Sequence, residues 1–343
     1  MNGVSLLGVD LAKDVFQLWG VDKAGRKQLS KRVSRQRLLA EVGKLPKCLV
    51  AMEACGTSSY WARQFRRQGH EVRLIAPQYV KPFVKTNKND ERDAEAICEA
   101  AVRPSMHFVP VKEVEQQDVQ SLHRIRQGLI RHRVALTNEA RGLFAEYGVS
   151  MARGSKAFKE GLKRITEAEP GSIADVTPIM RQEAMKMLKR FFELQREIEE
   201  YDREIEKMSK ENPLCRRLLA IRGVGPLSAT AVVASIGNAK SFKSGRQFAA
   251  WAGLVPKQSS SGNRQVLLGI SKRGDRYLRT LLIHGARASL VVKPKCPTRV
   301  SVWAEAVVER RGLNKAAVAL ANKNARMIWA VLAKEQDYQV SAA

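Results

Sequence analysis

The chain is short of acid. Thirty-four Asp and Glu stand against 60 Lys and Arg in 343 residues, leaving a net charge of +26. An excess of that size implies a polyanionic partner, and nucleic acid is the expected one. Cysteine is scarce and poorly spaced for cross-linking. Cys48, Cys55, Cys98, Cys215 and Cys296 are odd in number and contain no Cys-x-x-Cys, which argues against a disulfide framework or a zinc site and for a reducing cytosol. No run of about eighteen apolar residues exists, and the N-terminus lacks a signal-peptide pattern, so neither a membrane span nor export is expected. The acid deficit is sharpest between Arg216 and Arg299, where sixteen Lys or Arg are matched by one carboxylate, Asp275.

Against that background, four acids in the first hundred residues stand out. Asp10 ends the apolar run Val4–Val9, Glu53 ends a second run from Cys48 to Met52, and Asp90 and Asp93 follow in Asn89-Asp90-Glu91-Arg92-Asp93-Ala94. A carboxylate closing an apolar strand needs a partner to offset its charge. Asp14 and Glu91 read as ordinary solvated acids.

Residues 1–110 read as an α/β domain. A strand ending at Asp10 leads into a hairpin, Val15–Trp19 and Lys27–Val33, turning at Asp22–Gly25. A helix over Leu38–Leu45, the Glu53 strand, a helix over Trp61–Gln68, a strand over Glu71–Ala76 and a helix over Asp90–Ala101 follow. That order fits a mixed central sheet with helices on its faces. Residues 111–212 turn polar and helical, an arm in two long helices interrupted around Ser150–Pro178 by Gly154, Pro170 and Gly171. In its second helix Ala184, Met187, Phe191, Leu194, Ile198, Tyr201, Ile205 and Met208 mark heptad a and d sites. This coiled-coil seam serves either an antiparallel hairpin within the chain or a contact between subunits. Residues 213–335 form a third, mainly α region, and 336–343 a tail.

The third region carries the basic motifs. Leu218–Ala229 resembles a helix-hairpin-helix, whose Arg222-Gly223-Val224-Gly225 turn offers backbone N–H groups to a phosphate; a Gly-rich turn between core helices reads the same way. Beyond Gly253-Leu254-Val255-Pro256 lies a loop of three serines, Ser259, Ser260 and Ser261. Lys257, Arg264, Lys272, Arg273 and Arg276 surround it as candidate nucleic-acid contacts. His123 and His132, nine residues apart, share no helix face, so each reads as a packing or surface residue. Trp61, Trp251, Trp303 and Trp329 read as core.

Carboxylates on a basic body suit phosphodiester chemistry. Two-metal phosphoryl transfer gathers several acids on cations about 4 Å apart, and hard Mg²⁺ or Mn²⁺ takes oxygen ligands. Strand ends would carry Asp10 and Glu53 to one sheet edge, while Asp90 and Asp93, at i and i+3, share a helix face. The order Asp, Glu, Asp-x-x-Asp resembles the RuvC-like ribonuclease-H fold. The whole chain resembles the DEDD transposases of the IS110 insertion-sequence family. The matching segments include Gly8–Lys13, Met52–Thr57, Asn87–Ala94, Ile221–Pro226, Gly253–Pro256, Ser261-Gly262 and Ser271–Gly274.

The resemblance implies a DNA recombinase in which the metal-bound acids Asp10, Glu53, Asp90 and Asp93 act with a covalent serine nucleophile. The family's Pro, four residues, Ser-Gly motif reads here as Pro256 to Gly262, which marks Ser261; three consecutive serines leave Ser260 as the alternative register. It further implies homodimers that pair into tetramers, a structured non-coding guide RNA that pairs with donor and target DNA, and a bacterial or archaeal cytosol. Two other readings stay open. One is a Holliday-junction-type nuclease that uses the acids and water; the other is a non-catalytic nucleic-acid-binding scaffold.

Overall fold

The computed structural model describes residues 3–84, 89–169, 176–261, 264–292 and 296–339. Asn87, Lys88, Pro170, Gly171, Gly262 and the last four tail residues, all named above, lie outside that set. The chain divides into two compact units, Met1–Gln117 with Ile236–Asn238, and Asp118–Ser235 with Ala239–Ala343.

The first unit is built on a six-stranded sheet of order β3-β2-β1-β4-β5-β6. Its strands are β1 (Leu6–Asp10), β2 (Val15–Val21), β3 (Lys27–Ser34), β4 (Leu49–Glu53), β5 (Glu71–Ile75) and β6 (Phe108–Val109). β1, β4 and β5 run parallel, and the remaining pairs are antiparallel. The Asp22 carboxylate shapes the β2–β3 turn by accepting from the N–H groups of Ala24 and Arg26, each at 2.9 Å. β3 is an edge strand rich in Lys and Arg, a composition that discourages pairing with another sheet.

Alternation along the strands sorts the sheet into two faces. Leu7, Val9, Val50 and Met52 pack with α1 (Leu38–Gly43) and α2 (Ser58–Arg67). Leu6, Ala51 and Ile75 pack on the other side, where the short α3 (Pro77–Val80) and α4 (Asp90–Ala101) lie. α4 begins with the Asn89 side chain accepting from the Glu91 N–H, and its three first-turn acids suit the positive end of the helix dipole. Its Ala-rich stripe fits closely because β1 carries glycine. A Cβ on Gly8 would lie 2.3 Å from the Ala94 carbonyl oxygen and 2.8 Å from Cys98 Sγ. Gly8→Ala is therefore expected to displace α4 and destabilise the protein by about 2 kcal/mol or more, read as a lowered urea midpoint.

In the second unit, three helices share one core: α5 (Val114–Ala145), α6 (Ser155–Glu167) and α7 (Pro178–Glu211). α6 occupies part of the stretch read from sequence as a break. Phe158, Leu162 and Ile165, spaced i, i+4 and i+7, are fully buried there. The heptad seam is used within the chain. Ala184, Phe191 and Leu194 pack against Leu136, Ala140 and Phe144 of α5, while Arg126 pairs with Asp202 and Arg133 with Gln195, an antiparallel alignment. Those side chains are spent inside the subunit and give no support to a coiled coil between subunits.

The remaining elements are α8 (Pro213–Leu219), α9 (Pro226–Ile236), α10 (Gly245–Trp251), β7 (Pro256–Ser261), β8 (Arg264–Ile270), α11 (Arg276–Val291), α12 (Arg299–Arg311) and α13 (Leu313–Lys334). The serine segment is therefore not the loop expected from sequence: β7 and β8 pair as an antiparallel ribbon. Of the four tryptophans expected in the core only Trp61 is buried. Trp251, Trp303 and Trp329 are half-buried, and the Trp329 indole N–H donates to the Ala239 and Phe242 carbonyls.

His123 ties three helices together, α5, α9 and α11. Its ring nitrogens lie 2.9 Å from Tyr277 Oη and 3.0 Å from Thr230 Oγ1, beside the Arg126–Asp202 pair joining α5 to α7. Burial, helped by the nearby Arg126 charge, pushes the His123 pKa from 6.5 down to about 4. Below pH 6.5 the unfolded chain therefore takes up a proton that the native state refuses. Stability should fall by about 3 kcal/mol as the pH drops from 6.5 to 4. Urea midpoints across that range should show this slope, and His123→Gln should flatten it.

Candidate active site

The sheet faces decide where the acids go. Asp10 shares its face with Leu6 and Gly8, and Glu53 shares its face with Leu49 and Ala51, so both carboxylates lie on the α4 side. The two strands are parallel neighbours whose last registered pair is Val9 with Met52. Asp10 and Glu53 are the next residues along, side by side at the strands' C-terminal ends, and both are half-buried. On α4, Asp90 and Asp93 continue the buried stripe of Ala94, Ile97 and Cys98 by one turn. The four acids thus belong to one face and one edge of the first unit.

They are not drawn into one cage. Asp90 is exposed and lies 3.5 Å from Arg32 of β3. Its neighbour Glu91 accepts from Lys27 Nζ at 2.8 Å and Ser30 Oγ at 2.7 Å, contacts that hold its pKa below the usual carboxylate value. Asp90, Glu91, Arg32 and Ser30 line a cavity of about 200 Å³ with Gln17. Among the described residues no three Asp, Glu, His or Cys side chains are close enough together to hold a metal ion. Gln17, missed in the sequence, is buried, stands opposite Asp10 in the β1–β2 register and donates to Ser30 Oγ. Its signal was a polar residue between Phe16 and Leu18. Glu91, read from sequence as a solvated acid, is in fact tied to β3.

In the second unit the serines sit on a ribbon whose two faces differ. Cross-strand partners share a face. Ser261 stands opposite Arg264 and Ser259 opposite Val266, while Ser260 stands opposite Gln265 and Gln258 opposite Leu267. Ser261 and Arg264 therefore occupy one face. Ser260 points to the other, where its hydroxyl accepts from Gln258 Nε2 at 2.9 Å. All of β7, Ser261 included, is exposed.

The base of the ribbon is fixed. The Ser271 N–H donates to the Val255 carbonyl at 2.8 Å, and the buried Arg279 guanidinium donates to the carbonyls of Ala252 and Arg273. A Cβ on Gly253 would lie 2.1 Å from the Arg273 carbonyl oxygen, and one on Gly274 would lie 1.9 Å from that of Trp251. The Gly253–Pro256 and Ser271–Gly274 motifs are thus two strands of backbone pressed together, which leaves the side chains of Lys257, Lys272, Arg273 and Arg276 exposed around the ribbon. Asp275, the one acid here, caps α11 by accepting from the Tyr277 and Leu278 N–H groups.

The turn read as a phosphate cradle lies between α8 and α9, and it has structural duties of its own. Gly223 packs on Gly285 of α11, where a Cβ would meet the Gly285 carbonyl oxygen at 2.9 Å. The exposed Arg222 guanidinium donates to the Ser289 and Val292 carbonyls at the end of α11. Gly225 faces open space.

Comparison with known proteins agrees across both units. Residues 7–149 match the model of the IS110 DEDD transposases, and residues 215–301 match the model described as "Transposase IS116/IS110/IS902 family". A probable family 20 transposase of Pseudomonas aeruginosa is 49% identical over 98% of this chain and 99% of its own length. The transposase for insertion sequence element IS1111A of Coxiella burnetii is 48% identical over 100% and 93%. The transposase for IS1328 of Yersinia enterocolitica is 40% identical over 96% and 97%. With identities this high over nearly the whole of each chain, the protein belongs to the IS110 family of insertion-sequence transposases.

Proposed function

We propose that this transposase cuts and rejoins DNA with two sets of groups, the carboxylates Asp10, Glu53, Asp90 and Asp93 and the hydroxyl of Ser261. The observation that carries the reading is the sheet alternation, which gives Asp10 and Glu53 adjacent strand ends on the face covered by the Asp90–Asp93 helix. An all-oxygen donor set of this kind fits Mg²⁺ or Mn²⁺ in its chemistry. Asp10 and Glu53 would hold the ion, joined by Asp93 and by Asp90 once it parts from Arg32. A divalent ion bound there supplies neutralisation of the charge that builds on an attacked phosphate.

The serine step is a transesterification. Ser261 Oγ attacks phosphorus, a new O–P bond forms, the bridging P–O bond of one DNA strand breaks, and the departing oxygen takes up a proton. A hydroxyl of a second strand then attacks the serine phosphodiester, rejoining DNA and returning the serine. Arg264, the cross-strand partner of Ser261, holds the non-bridging phosphate oxygens and stabilises their charge. Ser260, hydrogen-bonded to Gln258 on the opposite face, is a bystander.

Sequence choice falls to a structured non-coding RNA, and the basic surface holds backbone rather than reading bases. The working form is a homodimer that pairs into a tetramer, and with Ala184, Phe191 and Leu194 spent within the subunit, self-association uses another surface. No helix among the described residues is long and apolar enough to cross a membrane, in keeping with work on chromosomal DNA in the cytosol.

The test is strand transfer between supercoiled donor and target plasmids, with Mg²⁺ and RNA transcribed from the element's flanks, on denaturing gels with and without proteinase. A proteinase-sensitive protein–DNA adduct is expected. Metal-dependent cleavage with no adduct, unchanged in Ser261→Ala, would replace this reading with a junction-resolving nuclease.

A further inference from the structure

The second unit holds a groove that neither the carboxylates nor the serine ribbon uses. It runs along α13 beside the start of α10 and encloses about 630 Å³. Lys323, Arg326 and Lys334 line it from α13 and Arg246 from α10, with Met327 and Trp329 contributing apolar surface. Lys323, Arg326, Met327 and Lys334 lie at i, i+3, i+4 and i+11 of α13, one stripe about 16 Å long, and Trp329 borders it at i+6.

No carboxylate lines this groove. The acids of the C-terminal segment are engaged elsewhere, Glu335 with Lys240 and Asp337 with Arg217. Lys323 stacks over the Trp303 ring at 4.1 Å. Four like charges around one concavity repel one another and together favour an anion that enters from outside.

We infer that this groove binds a single-stranded stretch of RNA, its phosphates on Arg246, Arg326 and Lys334 and its bases against Met327 and Trp329. Cations beside an apolar, partly aromatic floor match the way single strands are held: charge follows the backbone, and flat bases lie on hydrophobic side chains. A duplex keeps its bases stacked inside and makes no use of such a floor. Duplex DNA would first have to be melted, whereas folded RNA presents unpaired loops without that cost. The inference rests on the proposed function only for the presence of RNA; it is independent of the acids and of Ser261.

The test uses full-length protein with three probes: an unstructured oligouridylate, the oligothymidylate of equal length, and a DNA duplex of that length. Binding is measured across a salt series for wild type and for Arg246→Gln/Arg326→Gln/Lys334→Gln, which spares Lys323 and its contact with Trp303. Lys156→Gln/Lys163→Gln/Arg164→Gln, on α6, removes the same charge elsewhere. Three lost phosphate contacts should weaken oligouridylate binding at least about 30-fold and flatten the log–log salt slope by about 2. Duplex binding, and oligouridylate binding by the α6 variant, should stay within about threefold of wild type. Unchanged oligouridylate affinity in the groove variant, an equal loss in the α6 variant, or an equal loss on the duplex overturns the assignment. Tighter binding of oligothymidylate than oligouridylate, lost in the groove variant, overturns RNA as the occupant. Adduct formation in the plasmid assay reads the acids and the serine separately, so the failure of one proposal leaves the other standing.

Discussion

Ser261→Ala is expected to abolish the covalent protein–DNA adduct, lowering its rate of formation by about 10⁴-fold or more, because an alanine has no oxygen to bond to phosphorus. Ser260→Ala should keep the rate within about tenfold, since its hydroxyl points to the opposite face of the ribbon. The pair of variants separates register from chemistry: a ribbon that merely needed hydrophilic residues would treat both alike. Arg264→Ala should fall between them, with DNA binding largely retained, and Arg264→Lys should recover part of the loss as a point charge without the fork. An adduct that survives in Ser261→Ala and vanishes in Ser260→Ala would shift the nucleophile by one residue and remove Arg264 from the reaction.

The second large effect belongs to the sheet edge. Asp10→Asn is expected to lower strand cleavage by about a thousandfold, since a ligand that stabilises transition-state charge is worth several kcal/mol. Glu53→Gln should behave similarly. Protein stability should change little in either, because both positions lie at strand ends and remain partly exposed. Mn²⁺ binding followed by electron paramagnetic resonance gives a readout apart from turnover: wild type should bind, and Asp10→Asn should bind more weakly. Full cleavage activity in both variants would leave the acids without a catalytic role.

The first unit was legible from sequence because its central strands are covered on both sides. Leu6–Val9 and Leu49–Met52 read as unbroken apolar runs, and each ends on a carboxylate that no core position would accept. The Asp90–Ala101 helix announced itself through its Asn89 cap and acidic first turn. The sequence could not say that Asp10 and Glu53 share a face. That depends on the β1–β4 register, a pairing between segments some forty residues apart. Nor could it say that Asp90 leans toward Arg32.

The second unit was harder for two reasons. α6 was hidden between Gly154 and Pro170, although its Phe158, Leu162 and Ile165 were already in step. The serine ribbon carries no buried side chain on β7, so it lacks the apolar alternation from which a strand is read. The heptad pattern of α7 was plain, but periodicity cannot tell a partner within the chain from one outside it.

Among the described residues, the ribbon that bears Ser261 pairs only with itself and packs no β7 side chain into a core. Substitutions in it should therefore cost the fold little, within about 0.5 kcal/mol. An element that loses its activity there will still encode a folded, abundant protein, invisible to the proteases that clear unfolded chains. Gene copies with a lesion in the ribbon should therefore persist as intact-looking reading frames that still direct a folded protein.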